Sequence, residues 1–219
     1  EGVIPFEIVE HYLDKIPKVA TKIMVNVSSP DEAFRNHNLP ADGVGLARLE
    51  FIIAAHIGIH PNALIDYRKL KQGKKSAEIK KILKKIDNLT LLYKDKTQFY
   101  VDNLALGIAK IAATFFPKEV IVRFSDFKTN EYRMLAGGEL YEPSEENPMI
   151  GWRGASRYYD PKFKEAFGLE CKAMKIVRED MGLVNVTPMI PFCRTPEEGQ
   201  KVIELMKEFG LDRVQDESL

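Results

Sequence analysis

The sequence predicts an α/β fold of parallel βα units. Three observations carry that expectation. Four short runs rich in Val, Ile and Met recur along the chain. Apart from GVGLARLEF, they alternate poorly between apolar and polar residues, as strands buried on both faces do. Helical patterns stand between them, and strand–helix alternation implies a parallel sheet with right-handed crossovers.

The elements follow in order. Residues 1–18 (EGVIPFEIVEHYLDKIPK) are amphipathic and acidic, so they read as a linker or entry helix and not as a signal peptide. The first strand runs from Thr21 to Val27 and the second from Gly43 to Phe51 (GVGLARLEF). A mostly helical insertion, residues 56–118, comes next. There NALIDYRKL follows Pro61 with helical composition, and SAEIKKILKKI sets Ile79, Ile82 and Ile86 on one stripe with lysines opposite. Leu104, Ile108, Ile111 and Phe115 make a longer apolar face that Pro117 terminates. The third strand is Glu119 to Asp126 (EVIVRFSD). Residues 127–151 read as a long loop rich in Gly, Pro and Glu, and a loop longer than about 12–15 residues in a compact domain is usually functional. Asp160 and Pro161 open the next helix as N-cap and first-turn proline, with Phe163, Phe167, Met174, Val177 and Met181 as its apolar stripe and Gly182 beyond its end. The fourth strand is Asn185 to Phe192. Thr195, Pro196 and Glu198 then form a capping box for a last helix with Val202, Leu205, Met206 and Phe209 inward and Gly210 at its end.

Composition narrows the function classes. Of 219 residues, 45% are hydrophobic, and 32 basic residues balance 32 acidic ones. That is too apolar and too neutral for disorder, and it lacks the basic excess of a duplex-nucleic-acid binder. No window approaches the roughly 20 apolar residues of a membrane span. The two cysteines, Cys171 and Cys193, are too few for a disulfide framework and read as reduced thiols of a cytoplasmic protein.

Ligands of parallel α/β folds bind at the carboxyl ends of the strands. Arg48 and Glu50 end the second strand, Arg123, Ser125 and Asp126 end the third, and Arg153 and Arg157 follow the long loop. Several arginines at one end would make an anion pocket, because guanidinium donors fork onto phosphate and carboxylate oxygens. Arg123 lies inside an apolar strand, so it must meet either a bound anion or a carboxylate, with Glu50 and Asp126 as the candidates. Weaker signals read as structural. Gly43 and Gly45 lack the third glycine of a dinucleotide fingerprint, His56 and His60 lack a completing metal ligand, and no histidine neighbours either cysteine to activate it.

Taken in order, GVGLARLEF, VIVRFSDFKTNEYRMLAGGELYEPSEENPMIGWRGASRYY and GLECKAMKIVREDMGLVNVTPMIPFCRT resemble the phosphoenolpyruvate synthase (pyruvate, water dikinase) family of PEP-utilising enzymes over nearly the whole chain. The resemblance implies a (β/α)8 TIM-type barrel, of which residues 19–219 are about the first half. It implies a transferase reaction: ATP, pyruvate and water give AMP, phosphoenolpyruvate (PEP) and phosphate through a phosphohistidine on another domain. It assigns Arg48, Arg123 and Arg153 to substrate binding. The Mg2+ carboxylates and the catalytic cysteine of the family fall beyond Leu219, so the resemblance leaves no metal ligand or catalytic residue in this chain and predicts that the chain alone is inactive. Expected partners are PEP or pyruvate and the phosphohistidine domain, with no nucleic acid and no membrane. A homo-oligomer, a non-catalytic assembly module and another PEP or pyruvate barrel enzyme stay open as alternatives. Glu50 and Asp126 are the metal candidates of the last.

Overall fold

Short β-branched runs flanked by turn residues extend into four strands. These are β1 (Val25–Val27), β2 (Gly43–Arg48), β3 (Glu119–Arg123) and β4 (Val186–Met189). In this computed structural model, which describes residues 2, 4–73 and 76–212, they form one parallel sheet in the order β1-β2-β3-β4. The register explains the runs. Val25, Val44, Val120 and Val186 pair successively across the sheet, and all but Val25 are fully buried. At the carboxyl end the pairing is Arg48 to Arg123 to Met189, so the apolar rungs give way to a cationic one. Gly43 is required by close approach, since a Cβ there would lie 2.3 Å from the Glu119 carbonyl oxygen.

Helices α1 (Pro30–Asn36), α2 (Leu49–Ile52), α3 (Pro61–Ile65), α4 (Tyr67–Gln72), α5 (Ala77–Leu89) and α6 (Lys96–Phe115) precede β3. After it come α7 (Thr129–Met134), α8 (Ala155–Tyr158), α9 (Lys164–Lys175) and α10 (Pro196–Glu208). The face predicted for α6 is buried throughout, and the helix packs against α1 and α9. In α5, Leu83 and Ile86 are buried under a lysine-rich outer face.

Several expectations need correction. The second strand stops at Arg48, because the chain turns directly into α2, which lifts Glu50 onto a helix's first turn. The stretch 127–151 is not a bare loop. It contains α7, whose Glu131 carboxylate accepts the Lys128 N–H at 2.8 Å, and it is pinned to the insertion by the His60 N–H, which donates to the Ala136 carbonyl at 3.0 Å. The helix after Asp160 begins three residues late, at Lys164, since the Asp160 carboxylate accepts from Lys162 N–H in a preceding turn. Met181 is half exposed, because α9 widens into a π-turn at Ile176–Asp180 and rotates it off the core face. In α10, Thr195 accepts from the Glu198 N–H, but Glu198 reaches back to Arg194 N–H and not to the cap residue. In place of an entry helix, residues 4–12 have no regular structure and a 3-10 turn spans Leu13–Lys15.

Candidate functional site: arginines at the strand ends

The strand register brings Arg48 and Arg123 side by side at the carboxyl edge of the sheet. Arg123 donates from Nη2 to Glu50 Oε1 at 2.6 Å, and its Nη1 lies 3.2 Å from Asp126 Oδ2. Both carboxylates foreseen as partners are thus engaged. Glu50 Oε1 also accepts the Asp126 N–H at 2.7 Å, which ties α2 to the turn after β3. Burial pushes the Glu50 carboxyl above its ordinary range, against the pull of Arg123.

Arg153 joins this group from the far side of the sequence. Its Nε and Nη2 donate to the two oxygens of Asp126, each at 2.9 Å, so Asp126 bridges Arg123 and Arg153. The Arg153 guanidinium carbon sits 4.1 Å from the centroid of the Phe192 ring. Arg48, Arg123 and Arg153 therefore occur at one end of the sheet.

The set is incomplete as a hydrogen-bond network. Arg48 Nε, Arg123 Nε and Glu50 Oε2 are buried and have no partner. Among the described residues no ion pair engages Arg48, which lies 5.3 Å from the Phe51 ring. Buried polar atoms are normally satisfied, and three of the six unpaired side-chain atoms among the described residues lie at this strand-end group.

Arg157 departs from expectation. It is fully buried, and it forks onto Glu142 with Nη1 to Oε1 at 2.6 Å and Nη2 to Oε2 at 2.7 Å. Its Nε and Nη2 also donate to the Trp152 carbonyl at 3.1 and 2.9 Å, and the Trp152 ring lies 3.9 Å away. His60 completes the cluster, with Nε2 bonded to Glu142 Oε1 at 2.9 Å while Nδ1 accepts the Asn62 N–H at 3.2 Å. These partners assign a neutral Nε2–H tautomer. Burial holds the His60 pKa down, with Glu142 opposing. Burial also works against the Glu142 charge, but the bonds from Arg157 and His60 outweigh it and lower that pKa. The Arg157 guanidinium and the Glu142 carboxylate thus find their partners within the fold, while Trp152 Nε1 beside them is buried without one. His56, by contrast, is exposed.

A further buried carboxyl belongs to Glu170. Glu170 accepts the Ser125 N–H at 3.0 Å and the Ser125 hydroxyl, and burial raises its pKa to about 7 against the pull of those bonds and of Arg157. Sequence reasoning missed Glu170, and it missed Arg194 on the loop after β4. Glu170 sits in a helix 45 residues from its partner, which no local pattern reveals. Arg194 stood in view within FCRT but outside every strand-end motif.

The chain matches the profile of the PEP-utilising enzyme, PEP-binding domain, over residues 9–217. It belongs to that family. Family relatives include phosphoenolpyruvate synthases of Synechocystis sp. (56% identical over 96% of this chain), Aquifex aeolicus (51% over 96%) and Escherichia coli (47% over 96%). The chain spans 25%, 29% and 26% of those proteins respectively, about a quarter of their length. Among the described residues no helix is long and apolar enough to cross a membrane, and no three His, Cys, Asp or Glu side chains are grouped to hold a metal ion. Both cysteines are free, Cys171 buried and Cys193 exposed.

Proposed function

We propose that this chain is the PEP- and pyruvate-binding part of a phosphoenolpyruvate synthase and that Arg48, Arg123 and Arg153 receive the substrate's phosphoryl and carboxylate oxygens. The observation that carries the reading is the pair of buried, unpartnered Nε–H groups on Arg48 and Arg123 at neighbouring strand ends. An anion with several oxygens supplies the acceptors these donors lack, and each charge-assisted bond contributes roughly 1.5–3 kcal/mol. Transfer of a phosphoryl group needs mainly positioning and neutralisation of charge, which fixed guanidinium groups provide. In the whole protein the phosphoryl group would arrive on a phosphohistidine of another domain and leave on pyruvate enolate as PEP, with ATP and water consumed and AMP and phosphate formed.

The parallel sheet, with helices following its strands, is the first half of a (β/α)8 barrel in this reading, and residues 1–18 link it to what precedes. The family reading implies Mg2+ as well. Glu50 and Asp126 do not fit as its ligands, since both Asp126 oxygens and one Glu50 oxygen are held by arginines, whose positive charges lie beside the one free oxygen, Glu50 Oε2. The metal's carboxylates belong to another part of the protein, and we place the whole in the cytoplasm.

Calorimetric titration of PEP into wild type and Arg123→Ala tests the site. Wild type binds, and the variant loses about a hundredfold in affinity, the loss of one to two charge-assisted bonds. Equal binding by both sinks the assignment.

A further inference from the structure

The loop after β4 carries the one non-glycine residue with left-handed backbone among the described residues, Phe192 at φ 48°. Such a conformation is costly for an aromatic residue and persists where surrounding contacts over-determine it, commonly beside a working site. Several contacts of this loop fall on the segment around Arg153. The Phe192 ring covers the Arg153 guanidinium at 4.1 Å. Two residues on, Arg194 donates from Nη2 to the Gly151 carbonyl at 3.1 Å and to the Ile150 carbonyl at 3.5 Å, and from Nη1 to the Ser156 hydroxyl at 3.2 Å. The Pro191 carbonyl accepts the Ala155 N–H at 3.0 Å. Between these anchors stands Gly154, at φ 60°, where a Cβ would lie 2.5 Å from the Pro191 oxygen and 2.7 Å from the Phe192 Cβ. The two chain segments therefore touch backbone to backbone around Arg153.

We propose that the loop after β4 is a strap that fixes Arg153 for anion binding, with Phe192 and Arg194 as its positioning residues. The proposal rests on the reading of Arg153 as part of the anion pocket. Asp126 fixes Arg153 edge-on through its carboxylate and its carbonyl, the Met149 carbonyl accepts from Arg153 Nη1 at 2.9 Å, and Phe192 fixes the guanidinium plane through the ring face. Arg194 ties down the carbonyls of the preceding residues, so Arg153 cannot swing away on its own backbone. A guanidinium held in both edge and plane loses little freedom when an anion arrives.

The test uses the 219-residue chain, in which Trp152, adjacent to Arg153, is the only tryptophan. Variants are Phe192→Leu, which keeps apolar bulk without a ring, Phe192→Tyr, which keeps the ring, and Arg194→Met. PEP affinity is read by calorimetry, and segment order by acrylamide quenching of Trp152. Phe192→Leu lowers PEP affinity about tenfold, the scale of one cation–π contact. Phe192→Tyr stays within about twofold of wild type. Arg194→Met raises Trp152 quenching about twofold and lowers affinity about fivefold, as its three anchoring bonds are lost. Equal affinity in Phe192→Leu and Phe192→Tyr, with quenching unchanged in Arg194→Met, overturns the strap. A purely structural role for the ring predicts that leucine serves as well as tyrosine. If wild type binds no PEP, the pocket reading is what fails, and Trp152 quenching in Arg194→Met still decides whether the strap exists. Should Phe192→Leu not fold, the partly exposed Arg194 carries both readouts.

Discussion

Two arginine clusters lie within a few residues of one another and differ in one respect. Around Arg157 both oxygens of Glu142 are used, the guanidinium fills its edges with Glu142 and the Trp152 carbonyl, and aromatic rings cover it. Around Arg48 and Arg123, nitrogen and oxygen atoms are buried without partners. Residue type and burial alone do not separate the two, since Arg153 in the open cluster is nearly as buried as Arg157. Leftover hydrogen-bonding capacity on the charged groups themselves does, although Trp152 Nε1 beside Arg157 is also buried without a partner. A charged group whose bonds are all made is part of the fold, whereas one left short costs stability, and in the proposed function an anion supplies the missing acceptors.

The sharpest way to break this comparison is Arg157→Met. Removing one partner of a buried pair leaves Glu142 as an uncompensated charge, at a cost of about 3–5 kcal/mol. Each kcal/mol moves the melting midpoint of a domain this size by about 2–4 °C, so the fall is roughly 6–20 °C. Arg123→Ala moves the midpoint much less, because Asp126 keeps Arg153 and Glu50 keeps the Asp126 N–H. Scanning calorimetry of both variants decides the point, and equal midpoints would erase the distinction.

A somewhat smaller effect comes from Glu170, a buried carboxyl that differs from Glu142 in lacking an arginine on its oxygens. Its folded pKa of about 7 lies above the ordinary 4.5. The folded state therefore holds the proton more tightly than the unfolded one. The associated stability is fully present below pH 4.5 and is lost as pH rises to about 7, by at most about 3 kcal/mol. Thermal unfolding from pH 5 to pH 8 should show wild type losing stability relative to Glu170→Gln over that window. Parallel pH profiles would refute the assignment.

Much of the fold was legible because strands buried on both faces must read as unbroken apolar runs. The valine rungs through Val44, Val120 and Val186 are that requirement seen in register. The third strand's interruption by Arg123 was legible for the opposite reason, since a charge in an apolar run demands a partner. Its partners Glu50 and Asp126 were legible too, whereas the partner of Arg157 was not. Glu142 meets His60 across 82 residues and Arg157 across 15, and only the path of the intervening loop settles that Arg157 turns inward while Arg153 turns toward the strand ends. Helix α7 was hidden for a similar reason: its polar surface residues resemble loop composition until its buried Tyr132 is seen packing on Phe127 and Phe163.

The mildest test exchanges carboxylate for amide on each side of the comparison. Glu50→Gln keeps an oxygen for the Arg123 guanidinium and for the Asp126 N–H, and it removes a charge that burial already disfavours. Its cost to stability is about 1 kcal/mol or less. It also removes a negative charge from beside the proposed anion. At an intermediate effective dielectric, two unit charges some 6 Å apart interact by roughly 1 kcal/mol, so PEP affinity should rise about fivefold. Glu142→Gln, at the saturated cluster, loses the charge that Arg157 requires and lowers the melting midpoint without improving PEP binding. Calorimetry on both variants reads the difference. If Glu50→Gln weakens PEP binding, its carboxylate supports the arginines and does not compete for them, and the unpaired atoms at the strand ends need another explanation.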